Sequence, residues 1–326
     1  MNLVMKLSIA LTTYNGAKYL GEQLASFEAQ TRRPDELVVC DEQSSDATAQ
    51  ILRDFEERSP FPVRVVINES RLGIIANFEK ATGLCSGDAI FLSDQDDFWH
   101  PDKLARHEAI YEANPDVGLV FSDATVVDGD RKPLGMRMYE HLGITPERLA
   151  LLNGPRALRL LVRRPFLLGC TISFRASLRK YLHPFPNNQL HDNWIPFVLS
   201  TVTRFRGVAE PLIDYRRHNQ QVVGVNTLRD DLPAKLERTR AEEFAHQENL
   251  LDTLEKHVGG FRDQVKLVDF DQIIAGKRAY LGRRKGNLAA SMPGRMLNVS
   301  RNLILGNYFR YAGYPKVELI EDLRGR

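Results

Sequence analysis

An α/β fold built on a mainly parallel sheet is predicted by three observations. Short apolar runs alternate with amphipathic stretches from Lys6 to Leu104. The runs have strand length and the stretches between them have helix length. Polar groups close three of the runs: Thr12–Tyr14, Asp41–Glu42 and Asp94–Asp97. Open α/β sheets bind ligands there, beyond the carboxyl ends of their strands.

The elements follow in order. "KLSIALTTY" reads as a strand. In "KYLGEQLASFEAQ", Leu20, Leu24 and Phe27 recur at helical spacing. "DELVVCDE" is a second strand, and Ser45 or Asp46 is placed to cap the helix "ATAQILRDFEERS", with Ile51, Leu52 and Phe55 inward. "FPVRVVINE" is a third strand, "IIANFEKATGLC" a third helix and "DAIFL" a fourth strand. Beyond Leu104, "VGLVFSDATVVD", "LLGCTISFRASL" and "GVAEPLIDYRRH" read as strands, and "HDNWIPFVLSTV" as a helix. Phe244, Leu251, Leu254 and Val258 then form a helical stripe in a charged segment. The expected division is one domain over 1–225 and a helical extension over 226–326.

Composition narrows the class. With 326 residues, 43% hydrophobic, the chain is long enough to bury a sizeable core. A net charge of +2 gives no global argument for nucleic acid. Three cysteines, widely spaced and without a CxxC, suit a reducing compartment, so a cytoplasmic protein is expected. "MNLVMKLSIALTTYNG" lacks the layout of a signal peptide, and no apolar run reaches the roughly 18 residues of a membrane span. No GxGxxG follows the first strand and no GxxxxGK[ST] occurs, which argues against dinucleotide-binding and P-loop readings.

"AIFLSDQDDFWHPDKL" carries the densest chemistry: Asp94, Asp96 and Asp97 directly after a buried strand. Carboxylates so close repel one another, and a hard divalent cation resolves the conflict. On extended backbone, Asp94 and Asp96 share a face and Asp97 points away. The plain alternative is an acidic turn ahead of a helix. Other candidates have comparable pairs of readings. Asn15-Gly16 is strong turn chemistry, and the preceding Tyr14 could stack on a base. Asp41 could accept from a pyrimidine N–H, and Arg71 suits phosphate or a planar ring. Gly169 could let backbone approach a donor sugar. Asp192 is placed either to cap a helix or to act as a general base. Trp194 could stack on a sugar or pack in the core. His218 could complete a metal shell, and Arg216 and Arg217 could meet phosphate; the alternative is a strand end with solvated cations.

In several stretches, in order, the chain resembles the inverting family 2 glycosyltransferases, in particular a rhamnosyltransferase-like branch that builds bacterial surface polysaccharides. They are "SIALTTYNGAKYLGEQLASFEAQTRRPDELVVCDEQSSDAT", "INESRLGIIANFEKA", "GDAIFLSDQDDFWHPDKL", "LLGCTISF", "LHDNWIPF" and "YRRHNQQ", spanning about Lys6 to Gly224. The resemblance implies a GT-A fold, Rossmann-like, with a mixed sheet flanked by helices. It implies a nucleotide diphospho-sugar donor and Mg²⁺ or Mn²⁺. Thr12 and Tyr14 match residues holding base and ribose, Asp41 the acid on the base, and Arg71 the segment closing over the nucleotide. Asp94 and Asp96 match the metal and diphosphate site, with Asp96 the direct ligand, and Asp192 matches the catalytic base. The family often has an acidic residue before that base, where this chain has His191. A dTDP-rhamnose donor and a lipid-linked saccharide acceptor are the specific expectations.

Asp271 to Glu318 encloses nine Lys and Arg but no Asp or Glu, interleaved with Leu297, Leu303, Ile304, Leu305, Tyr308 and Phe309. This pattern fits an anionic membrane surface better than nucleic acid; the alternative is a subdomain packing its apolar residues. Two rival functions remain: a non-catalytic nucleotide- or carbohydrate-binding module, and a haloacid dehalogenase-type phosphatase with Asp94 as nucleophile. Phe98 departs from that phosphatase motif.

Overall fold

The computed structural model describes residues 4–218, 221 and 239–324. Two compact units are drawn from the chain, one from Met1–Pro155, Leu167–Leu199 and Thr203–Val223, the other from Arg156–Phe166, Ser200–Val202 and Gly224–Arg326. The boundary expected at 225/226 lies outside the described residues.

In the first unit, β1 (Leu7–Thr13), α1 (Leu20–Glu28), β2 (Glu36–Asp41), α2 (Thr48–Arg58), β3 (Val63–Ile67), α3 (Ile74–Leu84) and β4 (Ala89–Ser93) alternate as expected. Every residue of β1 and β4 is buried, as parallel strands covered on both faces require. The registers β1–β2, β2–β3 and β1–β4 are all parallel. They bring Thr13 beside Asp41 and Leu11 beside Ser93, so the polar strand ends share one edge. Neither Ser45 nor Asp46 is the N-cap of α2, which is Ala47; Asp46 Oδ1 instead accepts from the Thr48 amide at 3.0 Å.

The sheet then turns mixed. β5 (Phe98–Trp99), α4 (Lys103–Ala113), β6 (Val117–Val127), β7 (Pro133–Arg137), α5 (Met138–Leu142) and α6 (Pro146–Leu152) precede α7 (Leu158–Leu161), which belongs to the second unit. β8 (Ile172–Arg175), α8 (His191–Val202) and β9 (Arg204–Arg216) complete the sheet, whose order is β3-β2-β1-β4-β8-β6-β9-β5, with β7 on β6. β8 runs antiparallel to both neighbours, β4 and β6. The expected parallel pairing holds for β1 to β4 and recurs between β6 and β9, while β5, β7 and β8 pair antiparallel, so the sheet is mixed. In "LLGCTISFRASL", Gly169–Thr171 forms a 3-10 turn and the strand is confined to Ile172–Arg175. Trp99, wholly buried, packs edge-on to Phe27 at 4.8 Å and fastens α1 beneath the β4–β5 turn.

The second unit adds α9 (Arg240–Gly259), α10 (Phe270–Ala289), α11 (Met292–Ile304), α12 (Asn307–Tyr311) and α13 (Pro315–Arg324). Thr239 and Glu242 form a capping box that starts α9. The stripe Phe244, Leu251, Leu254 and Val258 is buried as its spacing predicts. Its core also holds charge: Arg284 pairs with Glu318, Glu321 and Asp322, and Asp322 also accepts from Arg240. Among the described residues no helix is long and apolar enough to cross a membrane.

Candidate active site beyond the strand ends

The carboxylates after β4 are arranged differently from the extended-chain expectation. Residues 94–97 form a turn between β4 and β5, so the alternation of a strand does not apply. Asp97 does not point away: ligand atoms of Asp94, Asp97 and Cys170 all lie within 4.8 Å of one another. Asp96 instead meets His218, with Oδ2 2.8 Å from Nε2. Asp97 is 1% exposed; its Oδ1 accepts from the Arg216 amide at 3.2 Å, and its Oδ2 is buried without a hydrogen-bond partner.

Electrostatics follow from this crowding. Part of Asp94 reaches solvent, yet protein encloses most of it. That enclosure pushes its carboxyl well above the usual range, and the charges of Asp97, Asp96 and Asp192 add to the shift. Burial likewise raises Asp97, with Asp96 next in effect. Lys103 lies fully buried, donating to the Cys170 carbonyl, its Nζ 3.6 Å from the Trp99 ring centre. Burial lowers its ammonium to about 7, against the pull of Cys170, Asp97 and Asp94. The carboxylates of Asp94 and Asp97, one oxygen of which is orphaned, fit a hard divalent cation; the expected ligands Asp96 and His218 pair with each other and are not in that group of ligand atoms. The Cys170 thiol is held protonated by burial and is a poor ligand for such an ion.

Arg216 binds this turn from within. It is 1% exposed, and donates from Nε to the Asp96 carbonyl at 2.9 Å, from one terminal nitrogen to the Gly129 carbonyl, and from the other to Glu22 at 2.8 Å. The Tyr19 ring covers it at 4.5 Å. The expected phosphate role for Arg216 is therefore corrected: its guanidinium is committed inside the fold. The signal available in sequence was its place at the end of an apolar strand.

On the β1 side, Tyr14 is anchored by Gln95, whose amide accepts from the Tyr14 N–H at 2.8 Å and donates to its carbonyl at 3.0 Å. A Cβ on Gly16 would lie 2.2 Å from Gln95 Oε1, so only glycine allows this approach. Exposed Arg71 stacks on the Tyr14 ring at 3.8 Å and donates to its hydroxyl at 3.0 Å. Glu42 holds the Arg71 segment by accepting from the amides of Leu72 and Gly73. Thr12 lies buried at the end of the same strand. Asp41 is fully buried and accepts from Thr13 Oγ1, Ser44 Oγ and the Ser44 amide, so its carboxylate builds the turn rather than facing an open site.

Asp192 and His191 open α8, whose N-cap is Leu190. Asp192 thus sits in the first turn rather than at the capping position. Its carboxyl accepts from local amides including that of Asn193, yet Oδ1 is buried without a partner. Burial raises it to about 7. His191 stacks on Phe78 at 3.6 Å, with both ring nitrogens unpartnered, and burial holds it neutral with a pKa near about 3. A Cβ on Gly169 would lie 2.5 Å from His191 Nε2, so the space Gly169 leaves is taken by that ring and not by a sugar. Trp194 is also corrected: it is 0% exposed and donates to the Leu182 carbonyl at 2.9 Å, leaving no face for stacking.

Comparison with known proteins decides the family. The profile of Glycosyl transferase family 2 matches residues 8–183, more than half of the chain. The chain belongs to glycosyl transferase family 2. The Salmonella typhimurium abequosyltransferase RfbV is 28% identical over 138 residues, covering 42% of this chain and 39% of its own. The glycosyltransferase alr2836 of Nostoc sp. is 28% identical over 130 residues, covering 40% of each chain. A Mycobacterium tuberculosis protein, Rv1520, is 30% identical over 139 residues, so the match spans 40% of its length. Among solved structures, S. aureus TarS 1-349 with UDP-GlcNAc superposes with a TM-score of 0.55 at 17% identity, covering 98% of this chain and 90% of that one. The mannosyltransferase PcManGT of Pyrobaculum calidifontis, in complex with GDP-Man and Mn²⁺, gives 0.52 at 19% identity, covering 98% and 86%. At such identities the likeness establishes the family 2 fold, a mixed sheet flanked by helices.

Proposed function

We propose that this family 2 chain transfers a sugar from a nucleotide diphospho-sugar with inversion, using Asp192 as general base. The observation that carries the reading is Asp192 Oδ1, buried and unpartnered at the start of α8, with its charge felt by Asp94. Inversion in one displacement needs a single base within hydrogen-bond reach of the acceptor hydroxyl, and no protein nucleophile. A carboxyl held near about 7 is matched to that proton transfer at neutral pH.

Asp94, Asp96 and Asp97, with His218, would hold Mg²⁺ or Mn²⁺. When bound, such an ion neutralises the charge on the departing nucleoside diphosphate. Tyr14, with Arg71 stacked upon it, offers a planar surface and a cation for base and phosphate, and Thr12 lines the same strand end. Asp41 is better placed to shape this site than to touch the base. The UDP-GlcNAc and GDP-Man named with TarS and PcManGT support the donor class.

Within it, dTDP-rhamnose is the proposed donor and a lipid-linked saccharide the proposed acceptor, in bacterial surface polysaccharide assembly at the cytoplasmic face of the membrane. Residues 1–225 are the proposed catalytic domain and 226–326 its helical extension. Family membership disfavours the phosphatase alternative. Calorimetric titration of UDP and dTDP, with and without Mn²⁺, tests the donor site on wild type and Asp96→Ala. Metal-dependent binding that Asp96→Ala abolishes supports it; no binding of either nucleotide sinks it for those donors. Intact binding with no transfer by wild type to any donor–acceptor pair returns the chain to a non-catalytic module.

A further inference from the structure

The second unit separates its cations into two sets that the sequence alone could not distinguish. Lys277 and Arg284 are buried, Arg278 is paired with Asp252 and Glu255, and Lys285 with Glu248. These side chains hold α9, α10 and α13 together. Arg301, Arg310 and Lys316 are exposed. Beside them lies a set of uncovered apolar side chains: Met296 (55% exposed), Leu297 (71%), Ile304 (85%) and Phe309 (69%), with Met292 and Leu303 also exposed.

These residues share one side of α11. At about 100° per residue, Met292, Met296, Leu297, Leu303 and Ile304 occupy an arc of roughly 140°, with Arg301 at its edge. Asn302 lies across the helix from this arc and Val299 beside its Met292 edge; both are buried in the unit. The helix is thus packed by one face and presents its more apolar face outward, the reverse of an ordinary surface helix. Contiguous exposed apolar side chains with a charged rim mark an interaction surface.

We propose that the outer face of α11, continued by Phe309 of α12, lies in the interface of an anionic lipid bilayer. Leu297, Ile304 and Phe309 would enter the headgroup–acyl boundary, and Arg301, Arg310 and Lys316 would meet lipid phosphates. Charge selects this occupant. The segment between Asp271 and Glu318 holds no carboxylate, and Glu318, Glu321 and Asp322 are engaged by Arg284. A second copy docked through the same face would bring two sets of cations together with no carboxylate from the segment to offset them. The choice of a bilayer also rests on the lipid-linked acceptor proposed above; the surface itself does not.

The test is co-sedimentation of the full chain with vesicles of phosphatidylcholine alone or mixed with phosphatidylglycerol, at low and high salt, with no donor or acceptor present. Wild type should bind the mixed vesicles, and high salt should weaken binding. Leu297→Glu with Ile304→Glu should weaken it at least about tenfold, and Arg301→Glu with Arg310→Glu by a similar factor. All four positions are exposed, so the circular dichroism spectrum and nucleotide titration should not change. Wild type remaining in the supernatant with mixed vesicles overturns the proposal, as does equal binding by both double variants. A dimer by light scattering that Leu297→Glu with Ile304→Glu dissociates, without vesicle binding, assigns the face to a second copy instead. Vesicle binding without nucleotide binding upholds this surface while removing the transferase reading.

Discussion

Replacing Arg216 tests whether the carboxylate turn is held by the fold or holds itself. Arg216→Met keeps most of the stem volume and removes the guanidinium. Two carbonyls, of Asp96 and Gly129, then lose a charged donor in a buried setting. Each such loss costs about 1–3 kcal/mol. Glu22 also loses its partner, but its side chain is 49% exposed, so solvent replaces that pair at about 1 kcal/mol or less. Loss of the cation over Tyr19 adds about 1 kcal/mol. The expected destabilisation is therefore roughly 3–8 kcal/mol, a large part of a domain's stability.

The change also has a local consequence. Without the bond to the Asp96 carbonyl, the turn keeps the β9 amide that donates to Asp97 but loses the side-chain tie that fixes Asp96. Urea unfolding should show the lower midpoint. Calorimetry at low temperature, where the variant remains folded, should show Mn²⁺-dependent nucleotide binding weakened at least about tenfold. Arg216→Lys, with a single donor group, should fall between the two proteins. A variant that unfolds with the wild-type midpoint and binds metal and nucleotide normally would refute the reasoning.

Four further outcomes are expected. Transfer by wild type should rise with pH and level off above about 7, because only ionised Asp192 accepts the proton; kcat/KM against pH checks this, and Asp192→Asn should be inactive throughout yet bind nucleotide. In metal-free buffer the same group should shape stability. Its folded pKa is raised above its ordinary 3.8, so the folded state binds the extra proton. This contribution is fully present below about pH 4 and lost as pH rises through about 7; melting curves of wild type should show that decline more steeply than those of Asp192→Asn. Gly169→Ala should push His191 off Phe78 and cost about 1–3 kcal/mol, seen in urea midpoints, with transfer also reduced. Trp194→Phe should cost about 1–3 kcal/mol from the lost Leu182 bond and leave the KM for donor unchanged; a raised KM would restore Trp194 to the sugar site.

The sequence was most legible where one period persisted. β1, β2 and β4 read cleanly because buried parallel strands are continuous apolar runs, and α8 was located from its apolar run, although it begins at His191 and so takes Asp192 into its first turn. β5 and β7 were missed for opposite reasons. β5 is two residues long, and β7 is a largely exposed strand, "PLGMR", with proline and glycine in it and too short for Leu134 and Met136 to establish an alternation. β8 was misjudged in extent because Gly169 bends the chain before the strand begins.

The site divides along the same line. That carboxylates gather beyond β4 follows from strand polarity and needs no coordinates. Which of them share a face depends on whether the chain stays extended past Ser93, and the pairing partner of β5 decides that. Phe98 and Trp99 pair with Ile213 and Asp214 of β9, so the chain must turn within residues 94–97. The turn carries Asp97 toward Asp94 and Asp96 toward His218. β9 also delivers Arg216, and His218 two residues later. Strand β9 thus both forces the turn and supplies the groups that meet it, more than a hundred residues away in sequence. No local pattern in "SDQDDFW" holds that information, and the same argument makes the β5–β9 pairing as much a part of the proposed metal site as the carboxylates themselves.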